Sequence, residues 1–403
     1  MTLPLIVFRS LRQHALSTIV TALSIALGGG LLMSVWVVKD QSRAIFTGVN
    51  GGFDAVLGAR GAKLQLVLNA IFHLEASPGN LGWSDYQDIK NNPAVQLAIP
   101  IAVGDNYLGY RLVGTLTELF DKVEYAPGKH YELEPGGEMF DATRREAVVG
   151  SFVAQKLGLK RGDTFHPFHG LIYNEKNQHS ETYVVVGVLK PSNTPADRVI
   201  WIPLEGIQKM TGHDPNAATD VSAVLVKLKA GSAASGFRLD MMYNKQGNRL
   251  TFAWPIGQVT AELFNKIGWF DRLLELVSYL VALVATGSIL ASIYNSMNER
   301  RREIAILRAL GARRRTIFGA ILLEAASISA LGMVIGFGIY IVIMGGAAAV
   351  IRTQTGVVLE PAQYNPVMFW APLALILLGA LAGIVPAMKA YRTDVAAHLM
   401  PTS

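Results

Sequence analysis

Four long apolar segments stand out along the chain, and each is long enough to cross a membrane. Residues 15–38, 276–298, 325–351 and 361–388 contain no charged side chain, and a spanning helix needs about 20 mostly apolar residues. The pattern predicts transmembrane helices at residues 15–38, 273–298, 317–351 and 367–388. The first segment exceeds the roughly 7–15 apolar residues of a signal peptide, so we expect it to be retained as a helix.

The stretch at residues 39–272 has a different pattern, in which short strand-like and helix-like segments follow one another. Residues 182–189 and 221–228 are apolar or alternating, as in strands, and residues 151–157 before Gly158 are typical of a short helix. Residues 95–103 and 107–114 predict a hairpin that turns at Gly104-Asp105-Asn106. The predicted fold class is an α-helical membrane protein with a large mixed α/β domain inserted between the first and second of its four transmembrane helices.

Composition supports a membrane protein. Only 16% of the residues are charged and 51% are hydrophobic, whereas about a quarter of an average soluble chain is charged. The chain has no cysteine, which excludes disulfides, cysteine-ligated metal and a thiol nucleophile.

The net charge of +6 is unevenly distributed. Residues 39–272 carry 24 Lys/Arg and 24 Asp/Glu, and the excess basic residues flank the apolar segments. They are Arg9, Arg12, Arg300, Arg301, Arg302, Arg308, Arg313, Arg314, Arg315, Lys389 and Arg392. Basic residues beside membrane spans mark the cytoplasmic side. We therefore expect residues 1–14, 299–316 and 389–403 to be cytoplasmic, residues 39–272 and the loop 352–366 to lie outside, and no nucleic acid to bind.

Residues 299–316 combine an apolar stripe with many charges. Ile304, Leu307 and Leu310 recur at helical spacing, and Gly311 can end the helix. The pattern leaves two interpretations open. One is a helix whose arginines bind lipid headgroups, and the other is a docking helix whose apolar stripe enters a groove on another protein.

This segment resembles the signature between the second and third transmembrane helices of the MacB/LolC/FtsX superfamily of ABC transporter permeases. The resemblance extends to Ile321-Leu-Leu-Glu-Ala325, to Phe8-Arg-Ser-Leu-Arg12 and to Val184-Val-Val-Gly-Val188. Residues 383–397 are similar to the family's C-terminal pattern, with Val395 where the family has proline. The chain is identified as a member of this superfamily, MacB-like but without a fused ATPase.

The resemblance implies where the protein lies and which partners it has. It implies a dimer of permeases in the bacterial inner membrane, either a homodimer or a pseudo-symmetric heterodimer, bound to separate ABC ATPase subunits that hold ATP and Mg²⁺. Residues 299–316 would then form a cytoplasmic coupling helix that docks on the ATPase. The coupling residues would be Glu299, Arg302, Glu303, Ile304, Leu307, Arg308, Leu310 and Gly311. This chain would need no cofactor, while membrane lipids and a periplasmic adaptor or substrate protein are further expected partners.

The sequence contains no G-x-x-x-x-G-K-[ST] phosphate loop. We therefore expect the chain itself not to be an enzyme, with ATP hydrolysis in a separate subunit.

Five residues in the apolar segments are further candidates. Gly332, Gly336, Gly379 and Gly383 form small-xxx-small pairs, which allow close helix packing either between protomers or within one. Glu324 is an acid inside the third predicted helix. Such a group is either functional or a shallow carboxylate that reaches headgroups or the arginines at 313–315.

Three histidines of the outer domain are candidate metal ligands. His166, His169 and His179 lie close together in sequence and could supply imidazoles to zinc, although solvated histidines are the commoner case. Three functions remain open. They are export or extraction of a peptide, drug, lipid or lipoprotein, FtsX-like activation of a periplasmic enzyme, and metal-linked transport or sensing.

Overall fold

A computed structural model describes residues 3–48, 50–215, 218–230, 233–299, 308–309, 311–355 and 358–392. The chain divides into two compact units. The helical unit comprises residues 1–41, 268–349 and 359–403, and the sheet domain comprises residues 42–267 and 350–358.

The elements alternate between helices and strands only inside the sheet domain. In chain order the helices are α1 (Leu3–Gln13), α2 (Ala15–Gly48), α3 (Lys63–Ala70), α4 (Trp83–Lys90), α5 (Glu118–Lys122), α6 (Ser151–Leu157), α7 (Leu204–Gln208), α8 (Ala233–Met241), α9 (Ile256–Glu299), α10 (Arg314–Thr355), α11 (Val367–Ala382) and α12 (Ile384–Arg392). The strands are β1 (Ala55–Ala59), β2 (Val95–Tyr107), β3 (Tyr110–Thr115), β4 (Glu124–Ala126), β5 (Lys129–His130), β6 (Glu146–Val149), β7 (Thr164–Phe165), β8 (Phe168–His169), β9 (Tyr183–Val188), β10 (Ile200–Pro203), β11 (Ala223–Leu228) and β12 (Leu250–Ala253).

The predicted apolar segments lie in α2, α9, α10 and the pair α11–α12. Among the described residues, four helical stretches are long and apolar enough to cross a membrane: Ala15–Ala44, Arg272–Ala291, Arg314–Gln354 and Val367–Lys389. The helices extend beyond the predicted spans, because α2 continues past residue 38 and α9 begins before residue 273. Backbone hydrogen bonding continues through polar residues, so apolar composition does not mark where a helix ends.

The sheet domain is mixed α/β, as the pattern predicted. Its ten-stranded sheet has the order β12-β1-β11-β2-β3-β10-β6-β9-β7, with β8 paired to β2 off this path, and β4 and β5 form a separate ribbon. Two clusters of buried apolar residues include neighbouring positions of β1, with Leu57 in one cluster and Val56 in the other. This alternation is the period of two expected for a strand that is covered on both faces.

The predicted hairpin is present as β2 and β3, but its turn was misplaced. The strands are joined by Leu108 and Gly109, which have φ of 49° and 86°, as in a two-residue turn with two positive φ angles. Gly104, Asp105 and Asn106 instead lie inside β2, where the register with β3 shifts between Val103 and Asn106. Asp105 is therefore buried in the sheet rather than exposed at a loop tip.

Candidate functional site

Most of the predicted coupling segment lies outside the described residues. Glu299 is the last residue of α9, whereas Arg302, Glu303, Ile304, Leu307 and Leu310 are not described. Arg308 is helical, and Gly311 follows with a φ of +98°, a conformation that suits glycine at a helix end. The coupling role of this segment remains a prediction.

Glu324 in α10 has a partner on the first helix. The hydroxyl of Ser10 in α1 donates a hydrogen bond to Glu324 Oε1. A second acid of the helical unit, Glu275 in α9, forms an ion pair with Lys39, whose Nζ lies 2.5 Å from Oε1. Each acid therefore joins two helices of the same unit.

The four small-xxx-small glycines face helices of the same chain. A Cβ at Gly332 or Gly336 would meet the backbone of α2 at Ala22 or Ala26. A Cβ at Gly379 would meet Ser329, and one at Gly383 would meet Ala325. Of the two interpretations of these pairs, the contacts favour packing within one protomer.

In the sheet domain, one acid and three histidines meet at a single point. Asp105, His169, His179 and His213 each direct one potential ligand atom inward, and these atoms all lie within 4.8 Å of one another. Asp105 Oδ1 is 3.4 Å from His169 Nδ1, 3.2 Å from His179 Nε2 and 3.2 Å from His213 Nε2. The sequence pattern included His169 and His179 in its candidate set, but it missed Asp105 and His213.

His166 does not join this cluster. Its Nδ1 lies 3.1 Å from the carbonyl oxygen of Glu181, although His166 is closer to His169 in sequence than the other members are. The members come together through strand pairing, because Asp105 in β2 lies directly opposite His169 in β8. The side-chain amide of Asn106 donates to the carbonyl oxygens of Phe168 and Gly170 at 3.3 and 2.8 Å, which holds β8 in this register.

Backbone carbonyls fix the orientation of two of the imidazoles. His179 Nδ1 lies 2.8 Å from the carbonyl oxygen of Thr211, and His213 Nδ1 lies 2.8 Å from that of Ile207. Since a carbonyl oxygen only accepts hydrogen bonds, each Nδ1 carries the proton and donates it. Glu181 holds Thr211 in place, because Glu181 Oε1 accepts hydrogen bonds from the backbone amide and the hydroxyl of Thr211 at 2.9 and 2.6 Å.

The cluster combines a buried carboxylate with one accessible imidazole. Asp105 is fully buried and His179 nearly so, whereas the side chain of His169 is 53% exposed. The hydrogen bond to Asp105 raises the pKa of His213, although burial acts in the opposite direction. Asp105 Oδ2 is buried and has no hydrogen-bond partner among the described residues.

A cavity of about 340 Å³ with a mixed polar and apolar lining adjoins the cluster. His169 and His213 contribute to its lining, together with Asp214, Asp220 and Ser222. The cavity therefore places acidic and hydroxyl groups beside the cluster.

Two family models match the chain, one after the other. Residues 18–238 match the model described as a MacB-like periplasmic core domain, and residues 275–395 match that of an FtsX-like permease C-terminal region. These matches define an ABC transporter permease. Because the first one covers more than half of the chain, the chain belongs to the MacB/FtsX-like family of ABC transporter permeases, which confirms the resemblance found in the sequence.

Curated relatives are similar along most of the chain. The macrolide export ATP-binding/permease protein MacB of Brucella melitensis biotype 1 is 26% identical over 405 residues, which covers 95% of this chain and 58% of that protein. The pyoverdine export ATP-binding/permease protein PvdT of Pseudomonas syringae pv. tomato is 28% identical over 261 residues, covering 63% of this chain and 37% of that protein. The chain thus spans less than two thirds of the length of these relatives.

Solved structures resemble part of the chain. The periplasmic region of MacB from Actinobacillus actinomycetemcomitans matches with a TM-score of 0.35 and 13% identity, covering 55% of this chain and 94% of that one. The extracellular domain of the noncanonic ABC-type transporter YknZ from Gram-positive bacteria matches with a TM-score of 0.31 and 16% identity, covering 49% of this chain and 99% of that one.

Proposed function

We propose that this chain is the membrane-embedded permease subunit of an ABC transporter whose ATP is hydrolysed by a separate partner subunit. The observation that carries the proposal is the pair of family matches, a periplasmic core domain followed by a permease C-terminal region. The 403 residues contain no phosphate loop, and the relatives carry names that join ATP binding to permease. A partner would supply the ATP-binding part.

In this proposal the four apolar stretches cross the bacterial inner membrane and the sheet domain lies in the periplasm. The distribution of basic residues supports this orientation. The segments before α2, between α9 and α10, and after α11 carry the excess of arginine and lysine, and such residues remain on the cytoplasmic side. The apolar helices also expose large side chains, such as Leu283 at 67% and Val342 at 74%, which lipid would cover.

Motion at the ATPase would reach the sheet domain through continuous helices. α9 and α10 flank the coupling segment in sequence, and each contains residues of both units. At the end of α10, residues 350–358 belong to the sheet domain, where Arg352 donates to Gln155 Oε1 at 3.0 Å. The guanidinium of Arg352 also lies 5.8 Å from the ring centre of Phe152. A shift of either helix would therefore move residues of the sheet domain.

We favour export of a peptide, drug or lipid, or extraction of a lipoprotein, over FtsX-like activation of a periplasmic enzyme. The support is the similarity, over 95% of this chain, to a relative named for macrolide export. The permease would act as a dimer, with a periplasmic adaptor or substrate protein as a further partner.

The test is purification of the full chain with and without a co-expressed ABC ATPase subunit. We expect a complex with two copies of each chain, with ATP turnover that disappears when the phosphate-loop lysine of the ATPase is replaced by alanine. ATP turnover by this chain alone would contradict the proposal that a separate subunit hydrolyses the ATP.

Orientation is tested separately with reporter insertions. A reporter at Gly128, which has a positive φ and open space around it, should be periplasmic, and a reporter after Lys389 should be cytoplasmic. A cytoplasmic signal at Gly128 would overturn the orientation.

A further inference from the structure

We propose that Asp105, His169, His179 and His213 bind one zinc ion. The site goes beyond the transport function, because its metal binding needs neither ATP nor the partner subunit. It rests on the convergence of four potential ligand atoms from distant parts of the sheet domain.

Three of the six ligand-to-ligand distances agree with tetrahedral zinc, and all six are within 4.8 Å. Bonds of about 2.0–2.1 Å to nitrogen and oxygen place the ligand atoms of a tetrahedron about 3.3 Å apart. The three separations between Asp105 Oδ1 and the imidazole nitrogens are 3.4, 3.2 and 3.2 Å. The three ring centres form a nearly equilateral triangle with sides of 5.5, 5.1 and 5.3 Å. Three imidazoles thus surround the carboxylate oxygen evenly.

The imidazoles are oriented as they are in metal sites. His179 and His213 each donate their Nδ1 proton to a backbone carbonyl, so in the neutral ring Nε2 carries a lone pair. Nε2 of both rings faces Asp105 Oδ1. Without a metal ion, a proton on His213 Nε2 forms the hydrogen bond to Oδ1, and zinc would replace such a proton and bind the Nε2 lone pair. Zinc-binding histidines typically show this arrangement, with the second nitrogen held by a carbonyl or carboxylate.

The carboxylate supplies an independent indication. Asp105 is fully buried, and its Oδ2 has no hydrogen-bond partner among the described residues. Oδ1 faces the imidazoles, but a buried carboxylate oxygen without a hydrogen-bond partner is costly. A divalent cation at the meeting point of the three histidines would compensate the negative charge.

The ligand set selects the metal. Calcium and magnesium prefer all-oxygen sites, whereas three imidazoles and one carboxylate suit zinc. All four positions of the tetrahedron would be filled by protein, as in a structural zinc site. The exposed His169 and the adjoining cavity of about 340 Å³ give the ion a way in and out.

Zinc would connect four segments of the sheet domain. Asp105 lies in β2, His169 in β8, His179 between β8 and β9, and His213 after α7. β8 has only two residues, so its attachment to the sheet would depend strongly on the metal. Bound zinc would hold the segment from β8 to β9 against β2.

The test is equilibrium dialysis of the purified full chain, carried on a tag without histidines, against buffered Zn²⁺, with metal content measured by mass spectrometry. We expect one zinc per wild-type chain. His169→Ala and Asp105→Asn should each weaken binding about a hundredfold or more, because each ligand carries a large share of the affinity of a four-ligand site. The matched control is His166→Ala, which changes a neighbouring histidine outside the cluster and should bind zinc as the wild type does.

A second readout guards against variants that do not fold. Hydrogen exchange of backbone amides in residues 168–180 should slow on zinc addition in wild type and in His166→Ala, but not in His169→Ala. His169 is the most exposed ligand, so its replacement should leave the monodisperse elution of the chain unchanged. No stoichiometric zinc in the wild type, or equal loss of zinc in His166→Ala and His169→Ala, would overturn the proposal whatever the outcome of the ATPase experiment.

Discussion

The sheet domain buries its large apolar side chains, whereas the helical unit leaves many of its own exposed. In the sheet domain, large residues such as Phe252 and Leu57 are fully buried by other parts of the same chain. In the helical unit, α9, α10 and α11 leave many leucines and valines exposed. The sheet domain therefore buries its apolar side chains by itself, while the helical unit exposes an apolar surface that lipid or a second protomer would cover. Three predictions, in order of expected effect, test this difference.

The largest effect should come from truncating a buried leucine of the sheet domain. Leu57→Ala should destabilise the protein by about 2–5 kcal/mol, because it removes contacts and leaves a cavity. The matched variant Leu283→Ala, at a position that is 67% exposed, should cost less than about 1 kcal/mol because lipid or detergent fills the space. Thermal unfolding of the purified chain in detergent measures both, and equal losses would contradict the comparison.

A smaller effect is expected where two helices of the helical unit do make close contact. Gly332→Leu would drive a side chain into Ala22 and Ile25 of α2, and overpacking of this kind costs about 1–3 kcal/mol. Gly338→Leu changes the same helix at a glycine whose added Cβ would have nothing within 4 Å. The second variant should keep the wild-type melting temperature, and a loss as large as that of Gly332→Leu would show that α10 packs differently.

The third prediction concerns pH and a buried histidine of the sheet domain. Burial, assisted by the charge of Arg111, lowers the pKa of His73 to about 3. Below about pH 6.5 the unfolded chain binds a proton at His73 that the folded domain excludes, so the contribution of His73 to stability falls as pH decreases. The loss is about 1.4 kcal/mol per pH unit, or about 2 kcal/mol by pH 5.

Melting curves between pH 7 and pH 5 test this loss. His73→Asn should flatten the pH dependence, since asparagine tolerates the positive φ of 54° at this position. The control His130→Asn, at an exposed histidine, should retain the wild-type slope. An unchanged slope in His73→Asn would show that another group causes the acid sensitivity.

The two regions also differ in how much of their structure can be predicted from the sequence. The apolar segments of the helical unit follow from length and composition alone, since an uninterrupted run of about 20 apolar residues is typical of a membrane span. The ends of α2 and α9 could not be placed in the same way, because their helical hydrogen bonds continue through charged residues such as Lys39 and Arg272.

The site in the sheet domain depends on contacts that no local pattern contains. Gly104-Asp105-Asn106 has the composition of a turn, yet pairing with β8 keeps it in a strand and buries Asp105. His213 reaches the cluster from beyond α7, while His166, which sequence proximity favoured, faces the carbonyl of Glu181. Sequence could therefore supply candidate ligand types, but only the sheet topology selects the set.

The central claim, that this permease is driven by a partner ATPase, is tested most directly at residues 299–316. Leu307→Asp would place a charge in the predicted apolar docking stripe, where a buried leucine contributes about 1.5–3 kcal/mol, equivalent to at least about a tenfold change in affinity. Arg301→Ala, which removes a charge from the same segment, should cost much less.

Co-purification of the ABC ATPase with each full-length, membrane-inserted variant is the deciding measurement. We expect Leu307→Asp to lose the ATPase or its coupled ATP turnover, and Arg301→Ala to retain both. If the segment only binds lipid headgroups, Leu307→Asp will retain the ATPase at the wild-type level with unchanged turnover, and that result would contradict the account.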